Sequence, residues 1–149
     1  MTPIPAIRPA TPADFEAWLQ LWRGYQQFYQ TDIDHATTLT TWQRLLSDDE
    51  PMHVALAADG RRAVGLVHYI EHRSCWTAGN YMYLQDLFVD PGHRGGGVGR
   101  ALIEHVYQEA AARGCSRVWW LTHDTNAVAM QLYDRIAART GFVQYRKVL

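Results

Sequence analysis

Residues 90–106 read DPGHRGGGVGRALIEHV, and four of the five positions from 95 to 99 are glycine. Glycine loses more backbone freedom on ordering than any other residue. A cluster therefore marks a turn that needs positive φ, or a main chain that another group must approach closely. Here the cluster runs straight into an amphipathic pattern, so the approach is to a helix N-terminus, where unpaired N–H groups and the positive end of the dipole attract an anion. Arg94, Gly95, Gly96, Gly97, Val98, Gly99 and Arg100 together suit a diphosphate. The spacing rejects two better known phosphate loops. A P-loop closes with Gly-Lys-Ser/Thr, whereas Gly99 is followed by Arg100 and Ala101. A dinucleotide fingerprint places glycines at i, i+2 and i+5, but counted from Gly95 or Gly97 the last position is Arg100 or Leu102.

Two further patterns carry polar groups worth placing. Asn126 and Tyr133 stand seven apart, about two helical turns, and so share a helix face. HYIEH at 68–72 matches a zinc-peptidase pattern that works only on a helix. It continues a strand here, with the two histidines about 13 Å apart, so the reading is an edge-strand tail and no metal site. Cys75 and Cys115 form no C-x-x-C pair and imply no disulfide framework or zinc knuckle.

These groups need elements to hold them. Ile7 marks a short strand, and TPADFEAWLQLWRGYQQFYQ predicts a helix with Thr11 as N-cap, Pro12 at its first position and an aromatic face. The polar TDIDHATTLT reads as a connection to a short helix at TWQRLLSDD. HVALAA, DG and AVGLVHYIEH form a hairpin pattern, and YMYLQDLFVD is a strand stopped by Asp90-Pro91-Gly92. A helix follows over 98–113, then a strand at SRVWWLTH, a helix at NAVAMQLYDRIAART and a last strand at FVQYRKVL. The pattern predicts an α/β (α+β) domain over 1–149 with one central sheet flanked by helices.

VDPGHRGGGVGRALI resembles the cofactor signature of the GNAT superfamily of acetyl-CoA-dependent N-acetyltransferases, Q/R-x-x-G-x-G/A, at Arg94, Gly97 and Gly99. NAVAMQLYDRIAARTGF is similar to the family's second segment, N-x-x-A-x-x-L-Y followed by G-F, at Asn126, Ala129, Leu132, Tyr133, Gly141 and Phe142. YLQDLFVDP resembles the preceding strand of the polyamine and yeast histone/D-amino-acid branch. The resemblance implies a mixed, mostly antiparallel sheet. It also implies loop amides on the diphosphate of coenzyme A, and main-chain groups of Leu87, Phe88 and Val89 on the pantetheine. Asn126 would bond the pantetheine, and Tyr133 would protonate the departing thiolate. An alkyl ammonium has a pKa of about 10.4, so something must take its proton. Polyamine-type relatives have Glu then Asp where this chain has Gln85 then Asp86, and a glutamine accepts no such proton. Asp86 interrupts an apolar strand, as a bonded structural carboxylate or as the base; a bulge would decide its face. Water relayed from Asp86 or His123 is the remaining route. Tyr25, Phe28, Tyr29, Trp76 and Tyr83 are candidates to stack on a cationic substrate, and Asp32 or Asp34 to pair a second charge.

Fourteen basic and 15 acidic residues give a net charge of −1, which argues against nucleic acid or anionic membrane as partner. No segment reads as a signal peptide or membrane span, so a cytoplasmic protein is expected. The leading expectation is direct acetyl transfer from acetyl-CoA to a small-molecule amine or a lysine-containing peptide, without a metal. Gln85 motivates the alternative of a CoA-binding or sensing protein that has lost transfer. Resemblance of FVQYRKVL to strands exchanged between subunits in the yeast branch implies a homodimer.

Overall fold

The computed structural model describes residues 3–149. Five strands form one sheet in the order β1-β2-β3-β4-β5: β1 (Ala6–Pro9), β2 (Met52–Asp59), β3 (Arg62–His72), β4 (Tyr81–Val89) and β5 (Arg117–Trp119). The first four are antiparallel, and β5 joins β4 in parallel. The helices are α1 (Phe15–Phe28), α2 (His35–Leu46), α3 (Val98–Ala112) and α4 (Ala127–Ile136). The expected mixed, mostly antiparallel α+β sheet is therefore present. Among the described residues no helix is long and apolar enough to cross a membrane.

Side-chain alternation gives the sheet two apolar faces. Ala55, Ala57, Val67, Tyr69, Met82 and Leu84 pack on Leu102, Ile103 and Val106 of α3. Val54, Leu56, Leu66 and Phe88 pack on Trp18, Trp22, Trp42 and Leu45 of α1 and α2. The turn into α1 is fixed by charge. Asp14, 2% exposed, takes both Arg8 guanidinium nitrogens at 2.7 and 2.8 Å and the Thr11 backbone N–H at 2.7 Å. Arg8 therefore holds the Asp14 carboxyl well below the usual range.

Four sequence expectations are corrected. Helix α2 starts six residues before Thr41, at His35. The Asp34 carboxylate accepts the Thr37 N–H at 2.7 Å as its N-cap, and a threonine-rich first turn looks like loop by propensity. Asp34 is thus the N-cap of α2. Strand β3 is central, between β2 and β4, so HYIEH is no edge tail. Strand β5 spans three residues and not all of SRVWWLTH. Finally, FVQYRKVL forms no strand within the chain, and Phe142, Val143, Tyr145 and Val148 are exposed.

Candidate active site

A β-bulge organises the site. His68 pairs with Asp86, yet the next residue, Tyr69, pairs with Leu84, leaving Gln85 as the extra residue of β4. Strict alternation would place Asp86 beside Met82 and Leu84 in the α3-side core. The bulge reverses the phase, so Leu87 and Val89 take the α3 side, while Asp86 and Phe88 join the α1 side. Gln85 itself is exposed.

On the α1 side Asp86 enters a polar chain. The Trp18 indole N–H donates to His68 Nε2 at 2.9 Å, and His68 Nδ1 lies 3.0 Å from Asp86 Oδ2. The side chains of His68 and Asp86 are 4% and 12% exposed. Three tyrosines surround the carboxylate. Burial, then the Asp86 charge, raises the hydroxyl pKa of Tyr25, Tyr29 and Tyr83 above the ordinary tyrosine value. Tyr83 also stacks on Trp119 with centroids 4.2 Å apart. This is a carboxylate ringed by π-faces and hydroxyls, an environment suited to a cation.

Next to it, β4 and β5 separate. The parallel pairing ends at Tyr83 with Trp119, while β4 continues against β3 as far as Val89. The β5-facing edge of residues 84–89 therefore has no strand partner. The Phe88 carbonyl points to β3, 3.2 Å from where a Cβ on Gly65 would sit, and the Asp90 N–H donates to Val64 O on that side. Main-chain groups alternate along a strand, so Leu87 and Val89 face the gap. Of the three residues expected to offer main-chain groups, Phe88 is thus turned away. The Val89 carbonyl accepts from Arg94 Nε at 3.0 Å, leaving both Leu87 groups and the Val89 N–H available.

The glycine loop closes this gap at the α3 N-terminus. Gly95 and Gly97 have φ of 81° and 89°, a region that penalises a Cβ. A Cβ at Gly97 would also lie 3.1 Å from Ile4. At Gly96 and Gly99 nothing would approach closer than 3.8 Å, so the loop main chain is bare. The first amides of α3, at Val98, Gly99 and Arg100, lack a carbonyl one turn back. A diphosphate fits this cradle. The two arginines are engaged elsewhere: Arg94 lies 5.4 Å from the Phe28 and Phe88 rings, and Arg100 pairs with Glu104 at 2.9 Å.

Across the gap, Asn126 stands at the N-cap position of α4 without a side-chain capping bond and donates from Nδ2 to Thr122 Oγ1 at 3.2 Å. It joins Phe28, Tyr29, Gln30, His123 and Thr125 around an open cavity of about 350 Å³. Tyr133 meets Trp120 edge to face. Burial, then Tyr29, raises its pKa above the ordinary value, keeping it protonated. The structure thus brings Asp86, Tyr83, Tyr29 and Tyr133 around one gap. Asp32 is exposed between α1 and α2, and Trp76 lies exposed in the β3–β4 loop. His68 and His72 spend their Nε2 lone pairs on the indole N–H groups of Trp18 and Trp119, both at 2.9 Å. His68 and Trp18 are site residues that sequence reasoning missed, because their signal is a cross-strand register.

The sheet is thus splayed between β4 and β5, with the bare amides of the glycine loop at the mouth of the splay. The sequence profile of the Acetyltransferase (GNAT) family matches residues 15–138, and the chain belongs to that family: it is an acetyl-CoA-dependent N-acetyltransferase. It is 36% identical over 143 residues to D-amino-acid N-acetyltransferase HPA3 of Saccharomyces cerevisiae, covering 95% of this chain and 89% of that one. It is 34% identical to aminoglycoside N(6')-acetyltransferase type 1 of Stenotrophomonas maltophilia, over 97% of this chain and 90% of that one. The solved structure of a probable acetyltransferase superposes with a TM-score of 0.84 at 23% identity, covering 97% of each chain.

Proposed function

We propose that residues 1–149 form one catalytic domain that acetylates the primary amine of a small cationic molecule, a polyamine or amino acid, or a lysine side chain. Acetyl-CoA supplies the activated thioester. The amides of residues 95–100 hold its diphosphate, and the edges of Leu87 and Val89 orient the pantetheine. Asp86 accepts the proton of the attacking amine, and Tyr133 donates one to the leaving thiolate. The observation that carries this reading is the bulge at Gln85, which puts the one carboxylate of β4 among Tyr25, Tyr29 and Tyr83 and beside the open strand edge. Tyr29 and Tyr83 then contact the acceptor, with Asp32 at the outer rim for a second charge.

Thiol release from acetyl-CoA with a panel of polyamines and amino acids tests the reading. We expect Asp86→Asn to lower kcat about 100-fold or more, with KM for acetyl-CoA little changed. Cofactor binding with no turnover of any amine would instead identify a binding or sensing protein.

We also propose a homodimer in which residues 142–149 supply the strand that the chain lacks. Phe142, Val143, Tyr145 and Val148 are exposed at 87%, 75%, 93% and 83%, and the outer edge of β5 is unpaired in the sheet order. A monomer in scattering at micromolar concentration would contradict this. The two free cysteines suit the cytoplasm, where we place the protein.

A further inference from the structure

We propose that His68, locked into one tautomer by Trp18, is a positioning residue that aims the Asp86 carboxylate at the acceptor amine. The proposal rests on the reading of Asp86 as the base, and its evidence is a pair of bonds with forced polarity. An indole nitrogen can only donate. With the Trp18 Nε1–H 2.9 Å from His68 Nε2, that nitrogen must carry the lone pair. The proton of neutral His68 is then on Nδ1, which lies 3.0 Å from Asp86 Oδ2 and donates to it. The direction of the whole chain follows from one group that has no alternative role.

Packing leaves the imidazole little freedom to leave this arrangement. The Trp22 ring meets His68 edge to face with centroids 4.7 Å apart, and the Trp18 ring lies at 6.0 Å. Trp18 is itself fully buried and packs on Trp42 at 4.7 Å. The titratable groups facing the pair are Tyr25 and Tyr29 from α1 and its C-terminus, and Tyr83 from β4.

Two consequences follow. His68 cannot itself take the substrate proton, because its only lone pair faces Trp18. Asp86 has one oxygen fixed by an N–H donor, which sets the orientation of the carboxylate among Tyr25, Tyr29 and Tyr83. The bulge is part of the same device. It brings Asp86 opposite His68, and without it the two would lie on different faces.

The test uses the full-length protein and Asp86→Asn, His68→Leu, His68→Asn and Trp18→Phe variants, each checked for fold by circular dichroism. Histidine nitrogen NMR of the wild type should show His68 in the Nδ1–H tautomer at neutral pH. In Trp18→Phe the indole donor to Nε2 is gone, and the preference for that tautomer should weaken. With the best acceptor of the amine panel, His68→Leu should lose about 10-fold or more in kcat and move the acid limb of kcat/KM to higher pH. KM for acetyl-CoA should change less than about two-fold, and His68→Asn, which keeps a donor near the Nδ1 position, should restore the limb. A wild-type Nε2–H tautomer, or a folded His68→Leu with the wild-type limb and kcat, overturns the proposal while leaving Asp86 as base. Full activity in Asp86→Asn, or no turnover of any amine, removes the reading beneath it.

Discussion

Tyr133 is described by its spacing from Asn126 and by its place beside Trp120, and the two together give it a defined chemical use. A phenol whose pKa is raised by burial stays protonated through physiological pH and can hand its proton to a thiolate held close by. Tyr133→Phe should therefore lower kcat by about 10- to 100-fold, and the loss should shrink with donors whose thiol leaving group is more acidic, measured by thiol release. Gly97→Val bears on the other half of the site. It forces a β-branched side chain to φ of 89° and against Ile4, so KM for acetyl-CoA should rise at least about ten-fold, the equivalent of about 1.4 kcal/mol. Circular dichroism must show that α3 survives. Gly97 and Tyr133 stand out as candidates in the sequence because each sits in a motif of fixed spacing. His68 does not, since its role depends on which residue lies across the sheet.

At the scale of elements, two junctions set the geometry. β3 touches α3 at Gly65, where a Cβ would meet Leu102 at 3.0 Å, the Phe88 carbonyl at 3.2 Å and Val98 at 3.3 Å. Gly65→Ala should cost about 1–3 kcal/mol by thermal or urea unfolding. It should also raise KM for acetyl-CoA, because it pushes the start of α3 away from the end of β4. β1 is tied to α1 by Arg8 and Asp14. The folded Asp14 pKa lies below its unfolded value of about 3.9, so the ion pair stabilises the fold above that pH and the contribution is lost as pH falls through the acid range. Arg8→Ala strands a buried carboxylate and should cost about 2–3 kcal/mol at pH 7. The gap between variant and wild-type melting temperatures should narrow below pH 4. Hydrophobic period and glycine stops made most helices and strands readable. The bulge was not readable, because nothing local distinguishes Gln85 as an unpaired residue, and α2 was read short because its threonine-rich start hides a capped helix.

For the whole molecule, the terminal FVQYRKVL reads as a final strand from its composition, but it forms no strand within the chain. β-favouring composition describes what suits a pleated, half-buried surface, and whether the segment pairs depends on its surroundings. Removing residues 142–149 should leave the secondary structure of the rest intact, since this segment is exposed, while a dimeric wild type becomes monomeric by sedimentation. The parting of β4 and β5 has a thermodynamic consequence as well. A pantetheine chain laid along Leu87 and Val89 would act as a surrogate strand, so the donor is also a piece of scaffolding. Saturating coenzyme A at 100 times its dissociation constant should raise stability by about 2.7 kcal/mol. Amide exchange should slow most along the bared flank of β4, as though the sheet had been zipped shut by a molecule that is not protein.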